Sequence, residues 1–178
     1  MNDRLTKSDW IKHGLRTLAK DGAGALKVGP MSAALEVSRG SFYWHFRDIA
    51  DFRLQLLRRW QEISTDQIIQ DLDAREGQPY LLKHLMQRVF GATRTLDRAI
   101  RSWGAQDEAV ATIVASVDGR RVARIAKLLT GAGVEDERAL HRAAFLYWAY
   151  LGQAVVMDPR HASISADALD DISALFER

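Results

Sequence analysis

Side chains that could recognise another molecule are concentrated in residues 38–47. Ser38 suits the N-cap of a short helix, which would place Arg39, Gly40 and Ser41 in its exposed first turn. An arginine can make two hydrogen bonds to the edge of a guanine, and a serine hydroxyl can bond several bases. Glycine costs a helix about 1 kcal/mol relative to alanine, a cost that close approach of the backbone to DNA would explain.

Five aromatic residues follow without interruption, from Phe42 to Phe46. Phe42 and Phe46 are four positions apart on one helical face, so we expect them in the core. This arrangement would leave the polar ends of Tyr43 and His45 available to phosphate oxygens. The alternative is that all five side chains form the core of a small domain.

Catalytic and metal-binding chemistry have little support in the sequence. The absence of cysteine excludes thiolate metal sites and a cysteine nucleophile. The chain also lacks an HExxH motif, a P-loop and a GxSxG motif. We therefore expect a protein that is not an enzyme and that has no metal site and no cofactor. The histidines outside the aromatic run are scattered at His13, His84, His141 and His161.

Positive charge is concentrated in the first third of the chain. Residues 1–60 contain 11 Lys and Arg against 6 Asp and Glu, whereas residues 61–178 contain 14 against 17. Each cation placed near a phosphate backbone releases condensed counterions, so a basic N-terminal third suits a nucleic acid partner. An ordinary solvated surface is the alternative interpretation.

The elements that must position these residues are helices. Apolar residues recur at helical spacing almost throughout, which predicts an all-α fold of nine helices. Thr6 and Asp9 predict a capped start for the first helix, which would end at Gly22, and Asp48 should cap a long fourth helix. The expected helices lie near residues 6–21, 28–35, 38–44, 48–72, 80–102, 107–116, 117–130, 136–157 and 165–177.

Residues 5–60 resemble the TetR family of bacterial transcriptional regulators. The resemblance implies a helix-turn-helix over residues 28–45, whose second helix enters the major groove of DNA. It also implies base contacts from Arg39, Gly40 and Ser41. The elements that carry the resemblance are the first-helix end Leu18-Ala19-Lys20-Asp21-Gly22, the turn Val37-Ser38, and the pairs Gly40-Ser41, Phe42-Tyr43 and His45-Phe46.

By position, the resemblance assigns phosphate contacts to Tyr43 and His45, and a backbone or sugar contact to Trp44. Four positions depart from the family pattern, and one of them is Ser32, which stands where the family usually has an alanine. Glu36 replaces the usual turn glycine and must adopt its backbone geometry. Lys27 replaces a hydroxyl cap and could supply a phosphate cation, and Arg47 is expected to substitute for the lysine that the family places at position 49.

For the rest of the chain, the resemblance implies an effector-binding and dimerisation domain over residues 51–178, behind a DNA-binding domain over residues 1–50. Small residues in the last two helices would let two copies approach closely, and a two-fold dimer matches a palindromic operator. Packing within one copy is the alternative. The interface candidates are Ala143, Ala144, Leu151, Val155, Leu169, Ile172, Leu175 and Phe176.

The expected effector is a small apolar or amphipathic ligand. Aromatic side chains would form the walls of its pocket and two basic side chains would anchor its polar group, although each of them could equally be plain core. The wall candidates are Phe90, Trp103, Tyr147 and Trp148, and the anchor candidates are His84 and Arg94.

The resemblance implies a dimeric repressor of transcription that binds double-stranded DNA and is relieved by a small molecule. A hydrophobic content of 47% supports a folded core, and no apolar run is long enough for export or for a bilayer, so we expect a soluble cytoplasmic protein without a membrane partner. The alternative is a nucleic-acid-binding or interaction module without sequence preference.

Overall fold

Every regular element in the computed structural model is helical within the part of the chain that it describes, which is residues 5–90, 95–153 and 164–177. The prediction of an all-α fold is therefore confirmed. The helices are α1 (Lys7–Asp21), α2 (Val28–Ala34), α3 (Arg39–Tyr43), α4 (Ile49–Gln61), α5 (Gln67–Asp73), α6 (Leu81–Phe90), α7 (Thr95–Gly104), α8 (Glu108–Gly131), α9 (Asp136–Leu151) and α10 (Ala166–Phe176), with a short 3-10 helix at Ala23–Ala25.

The long fourth helix is confirmed, because α4 continues into α5 through a π-helical segment, Glu62–Asp66, without a break. Counted as one helix, this run gives nine helices in the described residues, which is the number predicted. Two differences offset each other in that count. The predicted helices 107–116 and 117–130 are one helix, α8, and the predicted helix 80–102 is described as α6 and α7, with residues 91–94 outside the described part.

Helix ends follow the local signals that the sequence carries. The Thr6 hydroxyl accepts a hydrogen bond from the Asp9 amide at 3.2 Å, and the Asp9 carboxylate accepts one from the Thr6 amide at 2.9 Å. The Thr6 hydroxyl also donates to the Asp9 carboxylate at 2.6 Å, and this hydrogen bond, followed by that from the Thr6 amide, lowers the pKa of Asp9 below its usual value. At the start of α4, Asp48 accepts from the Asp51 amide at 2.8 Å. The predicted caps of α1 and α4 are confirmed.

The chain packs as two compact units, residues 1–66 with 95–114, and residues 67–94 with 115–178. This partition follows packing, and the predicted boundary between residues 50 and 51 stays a prediction. In the first unit α7 packs on α1, and the indole of Trp60 in α4 donates to the buried carboxylate of Asp97 in α7 at 2.6 Å. The helices of this unit are thereby joined around one core.

The core of the first unit is aromatic. The ring of Phe42 lies 5.3 Å from that of Trp10, 5.0 Å from that of Phe46 and 5.4 Å from that of Phe52, measured between centroids. Close approach of α1 and α4 depends on Gly14, where an added Cβ would lie 2.5 Å from Phe52. The segment that follows α3 is therefore fixed to α1 and α4.

The second unit has its own apolar core. Leu82 and Met86 of α6, Leu129 of α8 and Leu146 of α9 are among its buried members. The core extends to α10, whose Asp170 accepts from Gln87 and pairs with Lys83. Within the described residues, no helix is both long and apolar enough to cross a membrane.

Candidate nucleic-acid interface

The turn between α2 and α3 is tight and depends on Glu36. Glu36 has a φ of 56°, in the left-handed region that side chains disfavour, as expected for a residue in the place of a turn glycine. The amide of Val37 donates to the Ser32 carbonyl at 3.0 Å, and the Val37 side chain is half-buried. The two short helices are therefore joined in a fixed orientation.

The first turn of α3 faces solvent. Arg39 and Gly40 are exposed, and Ser41 is half-buried. Ser38 occupies the N-cap position, but its hydroxyl makes no capping hydrogen bond, so that part of the prediction is wrong. The Ser41 amide donates to the Ser38 carbonyl at 3.0 Å. The Ser38 side chain is left exposed beside Arg39.

Two glycines, Gly40 and Gly29, lie next to this turn, and they differ in what an added Cβ would contact. A Cβ added at Gly40 would lie 3.5 Å from Ser38 Oγ, an ordinary contact, so packing within the chain does not require glycine there. A Cβ added at Gly29 in α2 would lie 3.0 Å from Nη2 of Arg39. The Arg39 guanidinium therefore lies against Gly29, a relation that spacing alone did not indicate.

The aromatic run is divided between core and surface. Phe42 and Phe46 are buried, as predicted, whereas Tyr43 is 59% exposed and Trp44 is 76% exposed. The alternative that all five aromatic residues form the core is therefore wrong. Large exposed rings beside an exposed arginine are suited to contacts with a polar macromolecular partner.

His45 differs from its prediction. Its Nε2 donates to the carbonyl oxygen of Leu5 at 3.0 Å, so the polar end of the ring is not free. In the neutral ring this leaves Nδ1 as an acceptor, which cannot donate to a phosphate oxygen. Local spacing carries no signal for a partner 40 residues earlier in the chain, so the bond of Nε2 was not predicted. The phosphate contact itself stays a prediction, because a protonated ring would still donate through Nδ1. In this structure His45 ties the end of α3 to the start of α1.

Lys27 and Arg47 are exposed at two further points near the interface. Lys27 stands at the N-cap of α2 and makes no capping hydrogen bond, as its side chain predicts. The Arg47 amide donates to the Asp51 carboxylate at 3.0 Å, while Gln55 donates to the same carboxylate at 2.8 Å. These hydrogen bonds, that of Gln55 first, lower the pKa of Asp51. The backbone at Arg47 is therefore fixed next to the aromatic run.

The predicted dimer residues are only partly at the surface. Ala143 and Leu169 are buried in the core of the second unit, so they cannot also face a second copy, and that prediction is wrong for them. Leu175 is exposed and Val155 lies outside the described residues. The sequence reading missed three exposed apolar side chains of α9, Leu140, Phe145 and Trp148. The remaining candidates are half-buried: Ala144, Leu151, Ile172 and Phe176.

The predicted ligand residues do not form one pocket within either unit. Trp103 belongs to the first unit, where its indole donates to Asp107, whereas the other described candidates belong to the second. His84 and Trp148 face solvent, and Arg94 lies outside the described residues. Phe90 and Tyr147 do come together, because the rings of both contact the Tyr150 ring. As one pocket the set stays a prediction, because its helical faces were assigned without knowing their neighbours.

No family model, no curated protein and no solved structure matches the chain. The family resemblance of residues 5–60 therefore depends on the residues themselves.

Proposed function

We propose that the protein is a sequence-specific DNA-binding regulator of transcription of the TetR type, with α2 and α3 as its helix-turn-helix. The observation that carries the proposal is the division within α3. Its first turn presents Arg39 and Gly40 to solvent, while Phe42 and Phe46 fix the rest of the segment in an aromatic core. Insertion into the major groove requires a helix that is held rigidly by the core and that has an exposed, cationic first turn.

Base recognition is assigned to the first turn of α3. Arg39 would bond a guanine through its two terminal nitrogens, and Ser41 would bond a neighbouring base. Gly40 would allow the helix backbone to approach the base edges, since no contact within the chain accounts for a glycine there. Three adjacent positions thus share one task, and sequence preference should depend on all of them.

Phosphate contacts are assigned to side chains around that turn. Tyr43, Trp44 and Ser38 would bond or pack against the backbone, and Lys27 and Arg47 would neutralise phosphates on either side. All five are exposed. His45 is a positioning residue in this proposal, because its Nε2 is held by Leu5. The excess of basic residues in the first 60 positions supports the same assignment.

The proposal includes a homodimer formed through the exposed apolar face of α9 and α10. This face comprises Leu140, Phe145, Trp148 and Leu175, and the Phe145 ring stacks on that of Phe176 at 6.0 Å. Large apolar side chains exposed together are typical of a surface that another protein covers. A two-fold dimer would present two α3 helices to a palindromic operator.

Repression and its relief by a small molecule follow from the family resemblance alone, as does a cytoplasmic location. An effector would act by binding more tightly to one separation of the two recognition helices than to another.

The test is selection of binding sites from random duplex DNA, followed by gel shifts of the recovered sequence against unrelated DNA. Recovery of a two-fold symmetric sequence that unrelated DNA competes for poorly is the expected result. Equal competition by any duplex would instead indicate a nucleic-acid-binding module without sequence preference, since phosphate contacts carry no sequence information.

A further inference from the structure

A groove of about 480 Å³ runs between α1 and α4 in the first unit, and none of the residues assigned to DNA lines it. Its lining combines two kinds of side chain. Cations stand along both walls, and apolar side chains of α1 lie between them. The lining residues that matter are Lys7, Ile11, Lys12 and Leu15 of α1, with Arg58 and Arg59 of α4.

The groove has an excess of positive charge. Arg59 is paired with Glu62 at 2.7 Å, but no carboxylate of the described residues lies within ion-pair distance of Lys7, Lys12 or Arg58. The nearby carboxylates of Asp9 and Asp51 already accept hydrogen bonds from Thr6, and from Gln55 and Arg47 respectively. Lys12 and Lys7 still act over a longer distance on Asp9 and Asp51, and each contributes to lowering the pKa of that carboxyl group. An anion in the groove would therefore meet three exposed cations that form no ion pair among the described residues and that neighbouring carboxylates offset only in part.

The floor of the groove is apolar. Ile11 and Leu15 are one helical turn apart on α1, Ile11 buried and Leu15 half-buried, so both present surface from which water is partly excluded. A phosphate group alone, free or on DNA, would contact only the charged rim. Binding sites for small molecules generally combine an apolar wall with a few polar groups that fix orientation.

We propose that this groove binds a small amphipathic anion, a molecule with an apolar body and a carboxylate or phosphate head. The body lies on Ile11 and Leu15, and the head lies among Lys7, Lys12 and Arg58. This site contains none of the residues that the sequence suggested for a ligand. None of the residues that line it is assigned to DNA, so its ligand binding can be tested without DNA.

The experiment is calorimetric titration of the full chain with decanoate, below its micelle concentration and without DNA. One saturable site per chain is the expected result. The double substitution K12Q/R58Q should weaken binding about tenfold, because it removes two exposed charges that each contribute modestly. The matched control, R16Q/K20Q, removes two exposed cations of α1 outside the groove and should leave the affinity unchanged.

Two probes separate the head from the tail. Decyltrimethylammonium has the same tail with a cationic head, and inorganic phosphate is a head without a tail. We expect neither probe to bind saturably at the site formed by Lys12 and Arg58. Any saturable binding that either probe shows should therefore survive the substitution K12Q/R58Q. The proposal is overturned if decanoate does not bind, if both double variants weaken it equally, or if phosphate binds as tightly as decanoate. DNA is absent throughout, so these outcomes are independent of the proposed function.

Discussion

The guanidinium of Arg39 lies against Gly29, so the first turn of α3 is in contact with the first turn of α2. An added Cβ at position 29 would lie 3.0 Å from Nη2 of Arg39 and 3.5 Å from its Cζ. Gly29 therefore influences where the side chain proposed to read a base points. A substitution at Gly29 therefore tests the proposed base contact of Arg39 without altering Arg39 itself.

Substituting Gly29→Ala should change base preference without loss of stability. Alanine favours a helix by about 1 kcal/mol over glycine, and the atom displaced is the end of a flexible side chain. Selection from random DNA should return an altered base where Arg39 binds. Gly119→Ala in α8, where an added Cβ meets nothing within 4 Å, is the control that should leave the selected sequence unchanged. An identical selected sequence for Gly29→Ala would contradict the role given to Arg39.

Glu36→Gly should stabilise the chain. A side chain in the left-handed region costs about 1–2 kcal/mol, part of which glycine recovers against its greater freedom in the unfolded chain. We expect a gain of about 0.5–1 kcal/mol in the free energy of unfolding, measured with urea. Glu36→Ala removes the charge but retains the Cβ, so it should gain nothing. Equal gains for both variants would assign the effect to charge.

His45→Ala should loosen the start of α1. Loss of the Nε2 to Leu5 carbonyl hydrogen bond should cost about 1 kcal/mol and raise amide exchange at the beginning of α1. His45→Gln retains an N–H donor and should recover most of the stability. If His45→Ala weakened DNA binding while stability and exchange stayed unchanged, His45 would contact phosphate directly.

Trp148→Asp should convert a dimer into a monomer. The side chain is 68% exposed, so the fold loses little, but two like charges would face each other across the proposed interface. Sedimentation velocity should show half the mass of the unsubstituted protein. Tyr80→Asp changes an equally exposed aromatic residue outside α9 and should remain dimeric. An unsubstituted chain that sediments as a monomer would refute this interface.

Several local signals in the sequence predicted the structure correctly, although the side-chain cap expected from Ser38 does not form. The caps at Thr6 and Asp48 and the burial of Phe42 and Phe46 depend on residues within four positions of one another, and all were predicted. Even the strained turn at Glu36 was anticipated, because the residue stands where a glycine was expected.

Predictions that depend on neighbours distant in the chain were less reliable. Leu5 takes the polar end of His45, and the core of the second unit takes Ala143 and Leu169. The predicted break before Val117 failed similarly, because that side chain is fully buried and α8 continues through Gly119 despite its low helix propensity. Periodicity shows that a face is apolar but does not show what covers it.

The most direct test of the central claim is the substitution Gly40→Ala, measured for stability and for DNA affinity. Packing within the chain leaves room for a Cβ at this position, so the free energy of unfolding should rise by about 0.5–1 kcal/mol. Gly14→Ala is the matched control, and it should destabilise the fold because its Cβ would lie 2.5 Å from Phe52.

Affinity of Gly40→Ala for the selected operator should fall at least tenfold, while affinity for unrelated DNA stays the same. That combination of a more stable protein and a weaker specific complex is what close approach of α3 to the bases predicts. Unchanged operator affinity in the stabilised variant would contradict the proposal that the first turn of α3 reads DNA.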